Sequence, residues 1–251
     1  MHITILGSGT STGVPMVGCR CPVCTSSDPK DRRTRASLLV EHAGHHILVD
    51  TSTDLRKQAI RAQIPRIDAV LFTHAHADHI HGIDDLRGFH FQHHQVIPCY
   101  GTADTLNAID SKFSYIFTGL SAAGYAQLLE ARVIDAPFSL FGLEIVPIPI
   151  WHGEMPATGY RFGPVAYLTD CSAIPGSSLA LLAGVEVLIV DGLRYTSHPH
   201  HFNIAGAIAA TRPLCPRRTI ITHLTHEVPH RDGEKLPPGV ELAYDGLCFA
   251  I

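Results

Sequence analysis

Residues 74–79 read His-Ala-His-Ala-Asp-His and follow the apolar run Ala69-Val70-Leu71-Phe72-Thr73 without a break. A run of this kind reads as a buried strand, and a strand delivers the side chains at its end into the loop that follows. Three imidazoles and a carboxylate in that place are metal ligands by type. Neutral nitrogens and carboxylate oxygens suit zinc, manganese or iron, and donor softness does not choose among them. Strand alternation puts His74 and His76 on one side, while the turn beyond offers Asp78 and His79 to a second position. One ion would use only some of these groups, so the spacing implies two ions side by side. Such a pair, roughly 3.5–4 Å apart, lowers the pKa of a water and clamps an anionic transition state. The competing reading is a histidine-rich surface loop, to which His81, His90, His93 and His94 lend weight. The position directly after a buried strand decides against it.

A second cluster lies nearer the N-terminus. Cys19-Arg20-Cys21-Pro22-Val23-Cys24 is a C-x-C-x-x-C pattern, a compact thiolate set of the kind that holds zinc with one ligand still to come. Free cysteines in a loop are the plain alternative, and a redox C-x-x-C lacks the helix that should follow it. Seven cysteines in a chain that starts directly on a strand-like run, with no basic leader, point to metal or free thiols rather than disulfides.

These residues need strands to position them, and the apolar runs supply them. Residues 2–6 form a first strand, followed by Gly7-Ser8-Gly9-Thr10-Ser11-Thr12-Gly13, whose spacing and following Val14-Pro15 do not suit a dinucleotide-binding turn. The glycines are expected to give a tight turn close to the metal site. Residues 37–42 and 45–51 read as a hairpin across Ala43-Gly44. Thr53 is expected to cap a helix over 54–64 that buries Leu55, Ala59, Ile60 and Ile64. Asp50, ending a strand, is open to two readings: an ordinary cap or a support for the ligands. Helices are expected over 83–91 and 103–113 and a strand over 96–100, while 114–130 has no readable period. Residues 143–150 are strand-like, but Pro147 and Pro149 should make that strand irregular or an edge. His152 follows it. A hairpin across Gly163-Pro164 runs into Asp170, the run 185–190 into Asp191, and the run 219–222 into His223 and His226. A helix capped at Asn203, with Ile204, Ala207, Ile208 and Thr211 on one face, closes the histidine loop 198–201. Every one of these aspartates and histidines ends an apolar run or follows one, which is how a strand scaffold aims side chains at one edge.

Composition bounds the rest. The 251 residues, 45% hydrophobic and 17% charged, suit a compact α/β enzyme, here read as one domain over 1–251. No apolar run reaches membrane-spanning length, so no membrane partner is expected and the cytoplasm is the expected location. A net charge of −4 argues against a general nucleic-acid binder. The basic run Lys30-Asp31-Arg32-Arg33-Thr34-Arg35 reads as a solvated loop, with an arginine reaching a substrate phosphate as the alternative.

Taken together, H-x-H-x-D-H after a strand, then His152, Asp170 and His223 in order, resemble the metallo-β-lactamase superfamily. The resemblance covers nearly the whole chain and implies a four-layer αββα sandwich, α/β in class. It implies that His74, His76 and His152 hold one metal, that Asp78, His79 and His223 hold the other, and that Asp170 bridges them. The cysteine triad narrows the resemblance to the PhnP family of cyclic phosphodiesterases, which implies a separate structural zinc on Cys19, Cys21, Cys24 and a late histidine, matched by His226. On an extended strand end His223 and His226 would face opposite sides. The overlapping His226-Glu227-Val228-Pro229-His230 matches H-E-x-x-H, but that motif needs a helix and Pro229 would disrupt one. The same resemblance places His201, after His198-Pro199-His200, near the scissile bond as general acid or phosphate ligand, and makes Asp78 and His201 the expected catalytic residues. The expected cofactors are two divalent ions, zinc or manganese, and one structural zinc. The expected partner is a small phosphate diester such as 5-phosphoribosyl 1,2-cyclic phosphate, with a second copy of the chain as a candidate neighbour. Two alternatives stand beside this: hydrolysis of an ester, thioester or lactam, and a metal-stabilised scaffold without hydrolysis.

Overall fold

Alternating apolar residues pair the first strands in a computed structural model that describes residues 1–118 and 127–251. Strands β1 (His2–Gly7), β2 (Ser37–His42) and β3 (His45–Val49) run antiparallel, with His42 opposite His45. Ala43 and Gly44 connect β2 to β3 with φ of 50° and 80°. Two positive φ values in a two-residue loop match the twist of the strands, which is why a glycine stands there. Strands β4 (Ala69–Leu71), β5 (Ile97–Gly101) and β6 (Leu129–Val133) then add in parallel. The second sheet repeats the plan. Strands β7 (Phe138–Leu140), β8 (Leu143–His152), β9 (Met155–Phe162) and β10 (Val165–Leu168) are antiparallel, and β11 (Val187–Asp191), β12 (Arg218–Thr222) and β13 (Val240–Leu242) continue in parallel. The last strand, β14 (Cys248–Ala250), returns to the first sheet beside β1, so among the described residues each sheet has seven strands.

Three apolar layers hold these elements. Ile3, Val40 and Ile47 from the first sheet meet Tyr160, Tyr167 and Ile189 from the second in a shared core. The outer face of the first sheet carries Leu48 and Val70, packed with Leu55 of helix α1 (Leu55–Arg61) and Leu106 and Ile109 of a later helix, Ala103–Thr118. On the far side Leu188 and Ile221 pack with Ile204 and Ala207 of the helix Ile204–Thr211. Between them lie α2 (Ala77–Ile80) and α3 (Arg87–His93), so the long helix is α4; α5 (Gly176–Leu181) precedes the last one, α6. The order helix, sheet, sheet, helix is the expected sandwich. Each fully buried Val, Leu or Ile contributes roughly 1.5–3 kcal/mol of transfer free energy toward it.

Several local expectations need correction. Thr53 does not cap α1; Asp54 occupies the cap without a side-chain bond, and Thr53 bonds the Ala77 carbonyl instead. Ile60 is 63% exposed, and Leu55 and Gln58 are the fully buried residues of that helix. A glutamine can take that place because its amide is satisfied by Ser52, Thr34 and the Arg35 carbonyl. β8 is one continuous strand through both prolines, yet β7 covers only Leu143–Ile145, so Pro147 and Pro149 stand where the sheet edge is locally free. The helix expected over 103–113 continues to Thr118 across a non-helical Phe113, and residues 119–126 of the unreadable stretch lie outside the described residues. The basic run is not simply solvated: Arg33 is 1% exposed, donates to the Thr225 carbonyl at 3.1 Å and lies 3.6 Å from Asp31. It therefore points into the protein rather than toward a phosphate. Among the described residues no helix is long and apolar enough to cross a membrane.

Candidate active site

The expected ligands come together at one edge of the sandwich, where parallel strands end. His74 and His76 follow β4, Asp78 and His79 lie on α2, His152 ends β8, Asp170 follows β10 and His223 follows β12. Their donor atoms form two groups, each within 4.8 Å internally: His74, His76 and His152, and Asp78, His79, Asp170 and His223. Asp170 touches both. Its Oδ2 lies 3.0 Å from His79 Nε2, and its Oδ1 lies 3.3 Å from His223 Nε2 and 3.9 Å from His152 Nε2. Asp170 and His223 have φ of 53° and 60°, left-handed values rare for residues other than glycine. The chain bends sharply as it leaves β10 and β12, and this turns both side chains inward. His223 is therefore not on an extended strand end, and alternation is not what separates it from His226.

Buried neighbours orient the ligands. Asp50, itself at φ 62° and fully buried, takes a hydrogen bond from Thr73 N and Thr73 Oγ1 and lies 2.7 Å from His79 Nδ1. Of its two readings, the contact with His79, an expected ligand, favours support over a cap. His152 Nδ1 lies 2.8 Å from the His200 carbonyl, which leaves Nε2 toward the site. That contact requires Gly153: a Cβ there would meet His200 Nδ1 at 2.0 Å, and the residue has φ of 64°.

Charge in this cluster is arranged for a cation. Burial pushes His152 down to about 4 and His74 well below the usual imidazole range, so both are neutral donors near pH 7. Burial also opposes charge on His223, but Asp170, Asp78 and Asp191 outweigh it and lift the ring to about 9. His79 rises for the same reason. Without a cation the carboxylates hold protons on these rings; a divalent ion would replace those protons. Nε2 of both His79 and His223 is buried with no hydrogen-bond partner. Orphaned buried nitrogens facing carboxylate oxygens are the donor set that fits such ions.

His201 lies beside these groups, on the wall of a cavity of about 790 Å³ into which His76, Asp78, His152, Asp170 and His223 also open. Its Nδ1 is 2.6 Å from Oδ2 of Asp191, a fully buried carboxylate that also accepts from Cys171 N. Asp191 was not among the expected site residues, although its place at the end of an apolar strand was the same signal that marked Asp170. Ser11, in the glycine-rich turn, also lines the cavity, as that turn's expected position implied.

The cysteine cluster is separate. His226 Nδ1 lies 3.4 Å from Cys19 Sγ and 3.3 Å from Cys21 Sγ, and Cys24 completes a group within 4.8 Å. A tetrahedral zinc with bonds of roughly 2.0–2.3 Å has ligand–ligand edges of about 3.5 Å, so the set fits that ion. The His226 contact holds the Cys21 thiol down at about 6, whereas burial pushes Cys24 up to about 11. Residues 226–229 form no helix, which removes the metalloprotease motif.

Fold and site together define a metallo-hydrolase of the β-lactamase fold. Residues 45–224 match the family described as the Beta-lactamase superfamily domain, and the chain belongs to that superfamily. Over its whole length it is similar to a crystal structure described as a new diphosphatase from the PhnP family: 40% identity, TM-score 0.93, covering 100% of this chain and 97% of that one. An octanoyltransferase of Porphyromonas gingivalis is 41% identical over 252 residues, 98% of this chain; the match spans 51% of that relative, about half its length. Coenzyme PQQ synthesis protein B of Methylobacterium nodulans is 30% identical over 228 residues, 76% of this chain and 73% of that one.

Proposed function

We propose that this chain is a metal-dependent phosphoric diester hydrolase acting on a small cyclic or nucleotide-like phosphate diester. The observation that carries this reading is the Asp191–His201 pair, 2.6 Å apart, on the wall shared with both ligand groups. In this reading His74, His76 and His152 hold one divalent ion, Asp78, His79 and His223 hold a second, Asp170 bridges, and zinc or manganese suits both. Cys19, Cys21, Cys24 and His226 hold a structural zinc. A reducing compartment such as the cytoplasm keeps those thiols available to metal. Ions at the paired site would lower the pKa of an attacking water and offset charge on the phosphoryl oxygens.

The chain's own residues do the rest. Asp191 engages Nδ1 of His201 and leaves Nε2 to the cavity, where it can give a proton to the leaving oxygen. The bond from phosphorus to that oxygen breaks as the bond to the water oxygen forms. One proton leaves with the alcohol and one is taken from the water, so the site ends as it began. Asp78, more exposed than Asp170 at 12% against 4%, is placed to orient the water. No ligand of either group is missing, which speaks against a scaffold without hydrolysis.

The PhnP-family diphosphatase favours a second reading, cleavage of a phosphoanhydride at the same site. An anhydride loses phosphate, a good leaving group, and needs little help from an acid. The octanoyltransferase name is not carried over, because this chain accounts for 51% of that relative.

His201→Ala separates these readings. It should keep its metals and lose roughly 10²–10⁴-fold in turnover on a sugar diester. With a nitrophenyl leaving group the loss should shrink sharply, and wild type should prefer diesters to diphosphates, thioesters and β-lactams. An equal loss on both diesters would make His201 a phosphate ligand. Preference for a diphosphate, with His201→Ala nearly silent, would move the assignment to the second reading.

A further inference from the structure

Beside the histidine-lined cavity lies another of about 500 Å³. The two adjoin. Met155 lines both, and His74, in the wall of the second, has its Nε2 3.0 Å from Nδ1 of His76, in the wall of the first. Their chemistry differs. The first presents six imidazoles, from His76, His152, His198, His200, His201 and His223, beside the carboxylates of Asp78, Glu154 and Asp170. The second is walled by apolar groups that include Ala108, Ile134, Pro147 and Pro149. Besides His74, its polar groups are the carboxylates of Asp104 and Asp135 and the hydroxyls of Thr102, Thr105 and Thr158, and no lysine or arginine lines either cavity. Lys112 lies close by but is held on the Ala75 carbonyl. Pro147 and Pro149 carry no N–H and stand on the stretch of β8 that β7 leaves uncovered. That edge is therefore a flat apolar wall rather than a row of backbone donors.

We infer that this second cavity takes the organic moiety of the substrate: an uncharged ring bearing hydroxyl or amino groups, such as a sugar or nucleoside, with no second phosphate on that side. The inference rests on the phosphodiester reading, since it divides one substrate between a phosphate chamber and its neighbour. Carboxylates and hydroxyls accept hydrogen bonds from such a ring, and the carboxylates repel a phosphate, while proline and isoleucine walls stack against its faces. The volume lies within the range of small-molecule sites, roughly 300–1,000 Å³. Met155, unbranched and adaptable, forms the lip between the chambers. The same division makes Ala108 and Asp135 specificity determinants.

The test compares adenosine 2′,3′-cyclic phosphate with ethylene phosphate, the same five-membered diester without a nucleoside. Ala108→Phe, which fills the cavity from α4, should lower the ratio of their kcat/KM values at least tenfold. Asp135→Lys, at an exposed position where folding is not at risk, should raise KM for the nucleoside diester and shift preference several-fold toward its 5′-phosphorylated form. Ratios unchanged in both variants would overturn the inference. Calorimetric titration of adenosine itself keeps this result apart from the phosphodiester reading. If wild type hydrolyses neither diester, that reading falls alone. Adenosine binding weakened tenfold in Ala108→Phe would still support the cavity, and binding equal in both proteins, or absent in wild type, would overturn it.

Discussion

Asp170→Ala should abolish turnover, by about 10⁴-fold or more, in a protein that still folds. Asp170 reaches both ligand groups, at 3.0 Å from His79, 3.3 Å from His223 and 3.9 Å from His152. Two ions acting as a clamp supply several kcal/mol of transition-state stabilisation, and about 5.5 kcal/mol corresponds to 10⁴ in rate. The fold should suffer less. With Asp170 gone, His79 still faces Asp50 and Asp78, and His223 still faces Asp78 and Asp191, so neither ring is left as an unpaired buried charge. Turnover, metal content and melting temperature should be measured together on one preparation. Activity within tenfold of wild type at full metal content would sink the bridging assignment.

Cys21→Ser should do the opposite. Its thiol lies 3.3 Å from His226 and is held at about 6, so it is largely a thiolate near neutral pH and ready to meet a cation. Serine offers a neutral, harder oxygen in its place. Binding of a structural zinc contributes about 10–16 kcal/mol to folding in small zinc domains, and loss of one ligand removes part of it. A loss of roughly 3–5 kcal/mol would lower the melting temperature of a chain this size by about 10 °C or more. Zinc content should fall by one ion per chain while the His/Asp groups stay chemically intact. Mild chelation should show the same division in wild type, stripping the paired site and its activity before the thiolate zinc. Equal melting temperature and zinc content in Cys21→Ser and wild type would mean the cysteines hold no metal.

The two clusters are joined by more than the chain between His223 and His226. Leu224 N donates to the Ser8 carbonyl, Thr10 N donates to the Leu224 carbonyl, and Arg33 reaches the carbonyl of Thr225. The segment carrying one candidate ligand for each metal class is thus laced into the N-terminal loop that bears the cysteines. The basic run containing Arg33 looked like a solvated surface; its burial follows from this lacing, which no local charge pattern reveals.

What the sequence determined by itself was the kind and order of the chemistry. H-x-H-x-D-H after Ala69–Thr73, the C-x-C-x-x-C loop, and a histidine or aspartate at the end of several apolar runs are local facts, because a strand's period and its exit point lie within a few residues. The sandwich and the grouping of the candidate ligands followed from the family resemblance that these motifs carry. The tertiary structure alone decided which groups meet across the sandwich. Asp50 could have been a cap; packing against Thr73 and His79 made it a support. Asp191 carried the same signal as Asp170, yet its partner His201 became visible only when the loop 198–201 folded back on β11. Ile60 fitted a buried stripe but faces outward, while Gln58 is buried because its amide finds three partners, in Ser52, Thr34 and Arg35. The inward turns at Asp170 and His223 likewise need left-handed backbone, which an isolated aspartate or histidine rarely adopts. Periodicity reports which face of an element is apolar. It carries no information about the far segment that satisfies a buried polar group, because that choice is made by contacts between residues tens to hundreds of positions apart.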